Sequence, residues 1–392
     1  VWVICAINLT VAVKGAWQQG YDAIAIGALI ALKLPANIYS RQEFIHGADC
    51  ASRSTDGRQA AHRCGPISSP RHLAVRAGCP IRKQQAAREQ IMRIAIITAI
   101  HHGRDAEAKK GSHALRLMAE FARVVEAIRP DLVLDLGDRI SDQDHETDLV
   151  LEREVNAAFA PIRAIAPVMH ICGNHDRDFL TVAENEAIFG QSLAHAVLDL
   201  DGWRLVLFRA DTRMRRPHGF NCPDADIAWL EQTVRTADRP LLIASHTPLS
   251  GHGQDGNYYF ENTPGYSRFP QAPRLREVLR GTNQPILCLA GHVHWNTVTV
   301  VDGVTHLTQQ SLTESFTMSP ERGQGQPCGA YGVLELGSET INWRVHGEDA
   351  FALELPVRQL ARRWYQPLPP LSELRDESGR QARIEAYDRA TG

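Results

Sequence analysis

Five short apolar runs, 93–98, 131–136, 167–172, 241–245 and 286–290, each stop at a loop carrying His, Asp or Asn. Runs this short and this continuously apolar read as buried strands. Helical spacing lies between them. Over 112–128, Leu115, Met118, Ala119, Ala122 and Val125 recur at helical intervals, and Pro130 stops the helix. Stretches 150–165, 224–236 and 273–280 also read as helices. Runs 196–200 and 203–209 flank Asp201-Gly202, a hairpin signal, and Asp302-Gly303 is a second within a mostly strand-like stretch, 295–346. There is no internal repeat. The pattern predicts a layered α/β architecture, in which ligands gather outside the carboxyl ends of strands.

Those strand ends hold Ala99-Ile100-His101-His102, Gly137-Asp138-Arg139, Gly173-Asn174-His175-Asp176, Ser245-His246-Thr247 and Gly291-His292-Val293-His294. Each is weak alone. Gly-Asp after a strand is commonly a turn, and a single His commonly belongs to a core or a surface. Five in order, each after an apolar strand, point instead to one site. Imidazole, carboxylate and amide oxygen together suit Mn, Fe or Zn better than Ca or Cu(I).

Charge and cysteines narrow the classes further. The formal net charge of -3 argues against stable nucleic-acid binding or broad adhesion to anionic membrane. It hides an asymmetry: residues 1–91 carry 11 Lys plus Arg against 5 Asp plus Glu, and residues 92–392 carry 31 against 40. All five methionines lie at or beyond position 92. Apolar runs 1–13 and 23–32 fall short of the ~20 residues a membrane-spanning helix needs. Residues 41–91 have no helical or strand period. Three readings stay open for the leading segment: a poorly structured extension, a stretch outside the natural protein with Met92 as its true start, or a small domain. The expected organisation is this extension over 1–91, a folded domain over 92–355 that carries the strand-end set, and a Pro-rich, charged tail over 356–392. Cys172 and Cys288 read as buried free thiols. No CxxC pair has a partner pair, and nothing demands an oxidising compartment, so a cytoplasmic location is expected.

The ordered strand-end set resembles the calcineurin-like metallophosphoesterase superfamily, whose pattern runs Asp-x-His, Gly-Asp, Gly-Asn-His-Asp/Glu, His, Gly-His-x-His. The resemblance covers about 92–315 and, more loosely, extends to about 346. It implies a four-layer α/β/β/α sandwich, two divalent metal ions and a small-molecule phosphoester substrate. It puts His101, Asp138 and His294 on the first metal and Asn174, His246 and His292 on the second, with Asp138 bridging. It makes His175 the general acid and Asp176 the residue that orients it. GDxxSD (137–142) and GHVHW (291–295) resemble the cyclic-nucleotide-phosphodiesterase-like branch. Two cations ~3.5–4 Å apart can generate a hydroxide at neutral pH that attacks phosphorus in line. A His with an unperturbed pKa of about 6.5 suits protonation of the leaving oxygen.

The sequence departs from this pattern at position 99, where Ala stands in place of the first Asp. An Ala methyl cannot ligate a metal. The departure leaves an impaired enzyme, an enzyme compensated by His102 or Asp105, a natural member of low activity, or a non-catalytic metal- or protein-binding module on the same fold. The intact second-metal set and the leaving-group acid favour an enzyme.

Other residues have bland and sharp readings side by side. His102 reads as a loop or supporting residue, and His170 as a core or hydrogen-bonding one. Arg139 reads as a contact to substrate phosphate or a surface ion pair. Tyr258, Tyr259 and Phe260 could stack on a planar leaving group, although packing of their long loop onto the domain is the simpler role. His252, in the same loop, faces substrate or solvent.

Overall fold

The computed structural model describes residues 91–316, 326–370, 373 and 377–391. The expectations for the segment before residue 91 lie outside the described residues. The described residues all belong to one compact unit, Arg82–Gly392.

Its strands form two six-stranded mixed sheets. The first contains β1 (Met92–Ile97), β2 (Leu132–Asp135), β3 (Val168–His170), β10 (Tyr331–Leu336), β11 (Thr340–His346) and β12 (Phe351–Pro356). Their order is β12-β11-β10-β1-β2-β3. β1, β2 and β3 are parallel, while β10 to β12 form an antiparallel meander on β1. The second sheet contains β4 (Ala196–Leu200), β5 (Trp203–Leu207), β6 (Leu241–Ser245), β7 (Ile286–Ala290), β8 (Thr297–Val301) and β9 (Val304–Thr308). Its order is β4-β5-β6-β7-β9-β8, with β5, β6, β7 and β9 parallel.

Strand periodicity assigns each residue to one of three apolar layers. Ile94, Ile96, Leu132 and Leu134 meet Leu205, Leu242, Leu287 and Leu307 in a core between the two sheets. Their neighbours Ala95, Ile97 and Val133 point the other way, onto helices. Val206, Leu241, Ile243 and Ile286 do the same on the second sheet. Strands buried on both faces must be apolar throughout, which is why they read as continuous runs. The first sheet is covered by α1 (Ala114–Ile128), α2 (His145–Ala158) and α3 (Ala160–Arg163). The second is covered by α5 (Asp224–Arg235) and α6 (Ala272–Leu279). The result is the expected α/β/β/α sandwich.

Several boundaries differ from the sequence reading. The buried stripe of α1 is Ala114, Leu117, Met118, Phe121, Ala122 and Val125, whereas Leu115 and Ala119 face outward. Leu117 and Phe121 offer more apolar surface than the pair they displace, so the helix turns that side inward. α1 ends where Arg129 turns left-handed (φ 46°) before Pro130. α2 begins at His145, five residues before the expected start, because Asp144 caps it by accepting from Thr147 N. α4 (Val182–Phe189) was not expected, although Thr181 and Glu184 form a capping box at its start.

After β12, a 3-10 turn over Val357–Ala361 buries Val357 and Leu360 in the core between the sheets. The expected tail also contains α7 (Glu377–Thr391). No helix among the described residues is long and apolar enough to cross a membrane.

Candidate metal centre

The loops leaving β1, β2, β3, β6 and β7 converge. Gly137 and Gly173 make the approach possible: a Cβ on either would collide with the other loop's backbone. Five non-glycine residues here are left-handed, namely Ala99, His101, Asp138, His292 and His294, with φ between 47° and 68°. Left-handed backbone is sterically costly for residues with a Cβ, and it turns these side chains back over the sheet ends.

His101, Asp138, Asn174, His246, His292 and His294 are all buried. Two groups have ligand atoms within 4.8 Å of one another and could hold a metal ion: His101, Asp138 and His294, and Asp138, His246 and His292. Asp138 Oδ2 lies 3.9 Å from His101 Nε2, 3.5 Å from His246 Nε2 and 3.9 Å from His294 Nε2. Asn174 Oδ1 is 3.3 Å from His246 Nε2.

The outer hydrogen bonds decide what the inner atoms offer. His246 Nδ1 donates to Leu136 O (2.7 Å), and His101 Nδ1 to Ile140 O (3.3 Å). His294 Nδ1 donates to Glu314 Oε2, and His292 Nε2 to Tyr266 O (2.8 Å). A carbonyl or carboxylate can only accept, so in each neutral ring the other nitrogen keeps its lone pair. These inner nitrogens face one another and Asp138. His101 Nε2 and His294 Nε2 are 3.0 Å apart, and His292 Nδ1 is buried without a partner. Converged lone pairs of this kind suit a cation, and outer oxygen partners are what orient histidine ligands. The donor set therefore fits a divalent metal at the second position in full. At the first position it fits without a residue-99 ligand.

Burial lowers the His101 pKa well below its ordinary value and pushes His292 down to about 3, which keeps both rings neutral and ready to ligate. Burial also opposes charge on His246 and His294, but Asp138 raises the first and Glu314 the second. Burial works against ionised Asp138 too, yet His246 and His175 hold its pKa well below the carboxylate range.

The remaining expected residues separate into near and far. His175 edges onto His101 (ring centroids 4.8 Å), and its backbone N donates to Asp138 Oδ1 (3.0 Å). Its Nδ1 contacts Asp142, and its Nε2 accepts from Lys109 Nζ (2.9 Å). Asp176 is not the partner of the His175 ring. Its carboxylate instead accepts from the backbone N of Asp138 (3.0 Å), Arg139 (2.7 Å) and Gly173 (2.7 Å), clamping two site loops together. Arg139 matches neither of its expected roles. It is fully buried and pairs with Asp135, Glu152 and Asp176 beneath the site. His170 donates to Asp135 Oδ2 (2.9 Å) in the same network.

Neither neighbour of Ala99 stands in for its missing carboxylate. His102 Nε2 pairs with Glu154 (2.6 Å), and Asp105 Oδ1 accepts from Ser112 N (3.0 Å). The aromatic loop packs onto the site. Phe260 lies against His292 and Tyr259 against His294 (5.2 and 5.6 Å), and Tyr259 donates to Glu314 (2.6 Å). Tyr258 is exposed, and His252 Nδ1 accepts from Gln254 N within its own loop. A cleft of about 260 Å³ opens over the centre, lined by Lys109, His175, Arg216, Tyr259, Phe260 and His292 among others. Sequence reasoning missed Lys109, Asp142, Arg216 and Glu314. Of these only Asp142 lay within a quoted motif.

Residues 92–296 match the calcineurin-like phosphoesterase family. No curated protein sequence matches the chain. Among solved structures, a dimetal phosphatase from Danio rerio shares the fold, with 14% identity and a TM-score of 0.52, covering 67% of this chain and 98% of that one. GAP50, the anchor in the inner membrane complex of Plasmodium, is a looser likeness at 12% identity and a TM-score of 0.47, covering 68% of this chain and 89% of that one.

Proposed function

This chain belongs to the calcineurin-like phosphoesterase family, and on that premise we propose that it is a divalent-metal-dependent hydrolase of phosphoester bonds. Phosphodiesters, cyclic nucleotides included, are the first substrate class, and phosphomonoesters the second. The observation that carries the reading is the ring of inward lone pairs around Asp138: four histidines whose outer nitrogens are committed to oxygens, plus Asn174 Oδ1. When bound there, divalent ions such as Mn, Fe or Zn supply Lewis-acid activation of water and of a phosphoryl oxygen.

The chain's own residues do the rest. Asp138, Asn174, His246 and His292 make up the second-metal set, and His101 and His294 line the first position beside Asp138. His175 protonates the leaving oxygen from Nε2, the atom that accepts from Lys109. Asp142 steadies the ring from Nδ1. Asp176 acts on the loops rather than on the acid, since three backbone N–H groups occupy its carboxylate. Lys109 and Arg216 give the cleft a positive rim for an anionic substrate.

Turnover of bis-p-nitrophenyl and p-nitrophenyl phosphate, with Mn, Fe or Zn and after chelation, tests the proposal. Metal-dependent release of p-nitrophenolate supports it. Absence of turnover with any of the three metals, in both the parent and Ala99→Asp, would leave a non-catalytic binding module as the better reading.

A further inference from the structure

Lys109 is held in place. It sits in a tight turn in which Ala106 N donates to Lys109 O (3.0 Å) and Lys109 N to Ala106 O (2.9 Å). The next residue is tied to Thr313 O (3.3 Å). The side chain is half-buried, with Nζ 2.9 Å from His175 Nε2 and 5.4 Å from the Tyr259 ring centroid. Its charge therefore reaches the side of the centre that holds His101 and His294, the side where position 99 offers no carboxylate. After burial, Lys109 is the strongest influence holding the His101 pKa down.

Charge balance sharpens the point. Three carboxylates face the centre: Asp138 in it, Asp142 on His175, and Glu314 on His294. Lys109 and one divalent ion neutralise them. A second ion would add two more positive charges beside Lys109 among buried histidines, a costly arrangement in a low-dielectric site. Arg216 also lines the cleft, but only Lys109 touches the His175 ring.

We propose that the ammonium of Lys109 takes the electrostatic place of the first-position cation, so that the native centre holds one divalent ion, at Asp138, Asn174, His246 and His292. Lys109 then receives the phosphoryl oxygen that a first cation would otherwise hold. The inference rests on the hydrolase reading above and deepens it. It explains how position 99 can lack a carboxylate while the second-position set and His175 stay in place.

Equilibrium dialysis with Mn(II), read by metal analysis and by electron paramagnetic resonance, tests it on the whole chain. The native protein should bind one Mn per chain, with the six-line spectrum of an isolated ion. Lys109→Met removes the charge at similar volume. It should tighten binding of a second Mn by about tenfold or more, broaden the spectrum through coupling of paired ions, and raise KM for a phosphodiester. Lys109→Arg should keep one Mn and a near-native KM. Two equivalent Mn ions in the native protein, unchanged by Lys109→Met, would overturn the role of Lys109 while leaving the hydrolase reading standing. No Mn, Fe or Zn bound at all would overturn both. If Lys109→Met does not fold, Lys109→Gln supplies the same test of charge removal.

Discussion

Ala99→Asp is the most informative single change. Residue 99 is fully buried and left-handed at φ 48°, and its N–H donates to Gly137 O (2.9 Å) beside the Asp138 loop. Asp tolerates this backbone better than most residues with a Cβ, so the loop can keep its path. In chelator, the new carboxylate is a buried charge near Asp138 and should destabilise the fold by about 1–3 kcal/mol. For a domain of this size that corresponds to a melting temperature roughly 3–10 °C below the parent. With Mn at a hundredfold excess over the dissociation constant of the restored site, binding linkage returns about 2.7 kcal/mol. The deficit should therefore close or reverse as Mn is added, while metal content rises toward two per chain and phosphoesterase turnover increases. Ala99→Gly is the control. It relieves the left-handed Cβ, stabilises by about 1 kcal/mol, and should leave the Mn response like the parent's. The assay is a melting curve at stepped Mn concentrations with metal analysis of the same samples. Identical Mn-dependent shifts and metal content in Ala99→Asp and the parent would refute the reading of position 99.

Two further outcomes follow from the same geometry. His175→Ala should slow hydrolysis of alkyl phosphodiesters by about 10²–10⁴-fold but p-nitrophenyl esters far less, since p-nitrophenolate leaves without a proton; equal losses across a leaving-group series would remove His175 as the acid. Asp148 is pushed up to about 6 by burial. Its folded pKa exceeds the unfolded value, so its contribution to stability is full below about pH 4 and is lost as pH rises through 6. Asp148→Asn keeps an acceptor for Gln143 N and should be more stable than the parent at pH 7.5, by about 1–2 kcal/mol after allowance for solvent screening. At pH 4 the two should nearly coincide, and a pH-independent difference would count against this.

The parts of the fold that were legible in the sequence are those fixed by one dominant force. β6 and β7 read correctly because a strand buried on both faces has to be apolar at every position. The hairpins read correctly because Asp-Gly favours the tight turn at 201–202 and again at 302–303. α4 escaped notice because only Asn185 and Phe189 of its eight residues are buried, so it carries little amphipathic signal. In the site, the residues that bring inward nitrogens and oxygens together stand directly at strand ends, where chain order announces them. Lys109 and Glu314 reach the centre through loop folding, and no local pattern marks them. Arg139 was read as a surface or substrate contact because a lone Arg is rarely buried. Its compensation comes from Asp135, Glu152 and Asp176, scattered over three separate stretches. Burial pushes the Glu152 pKa up while Arg139 pulls it down. That balance belongs to the packed state alone.

The central claim is that the lone pairs around Asp138 form a cation site. Anomalous X-ray scattering at the Mn edge, from crystals equilibrated with Mn, tests it most directly. A peak should appear within ligand distance of Asp138, Asn174 Oδ1, His246 Nε2 and His292 Nδ1. Strong Mn peaks elsewhere, with none among these four residues, would contradict it.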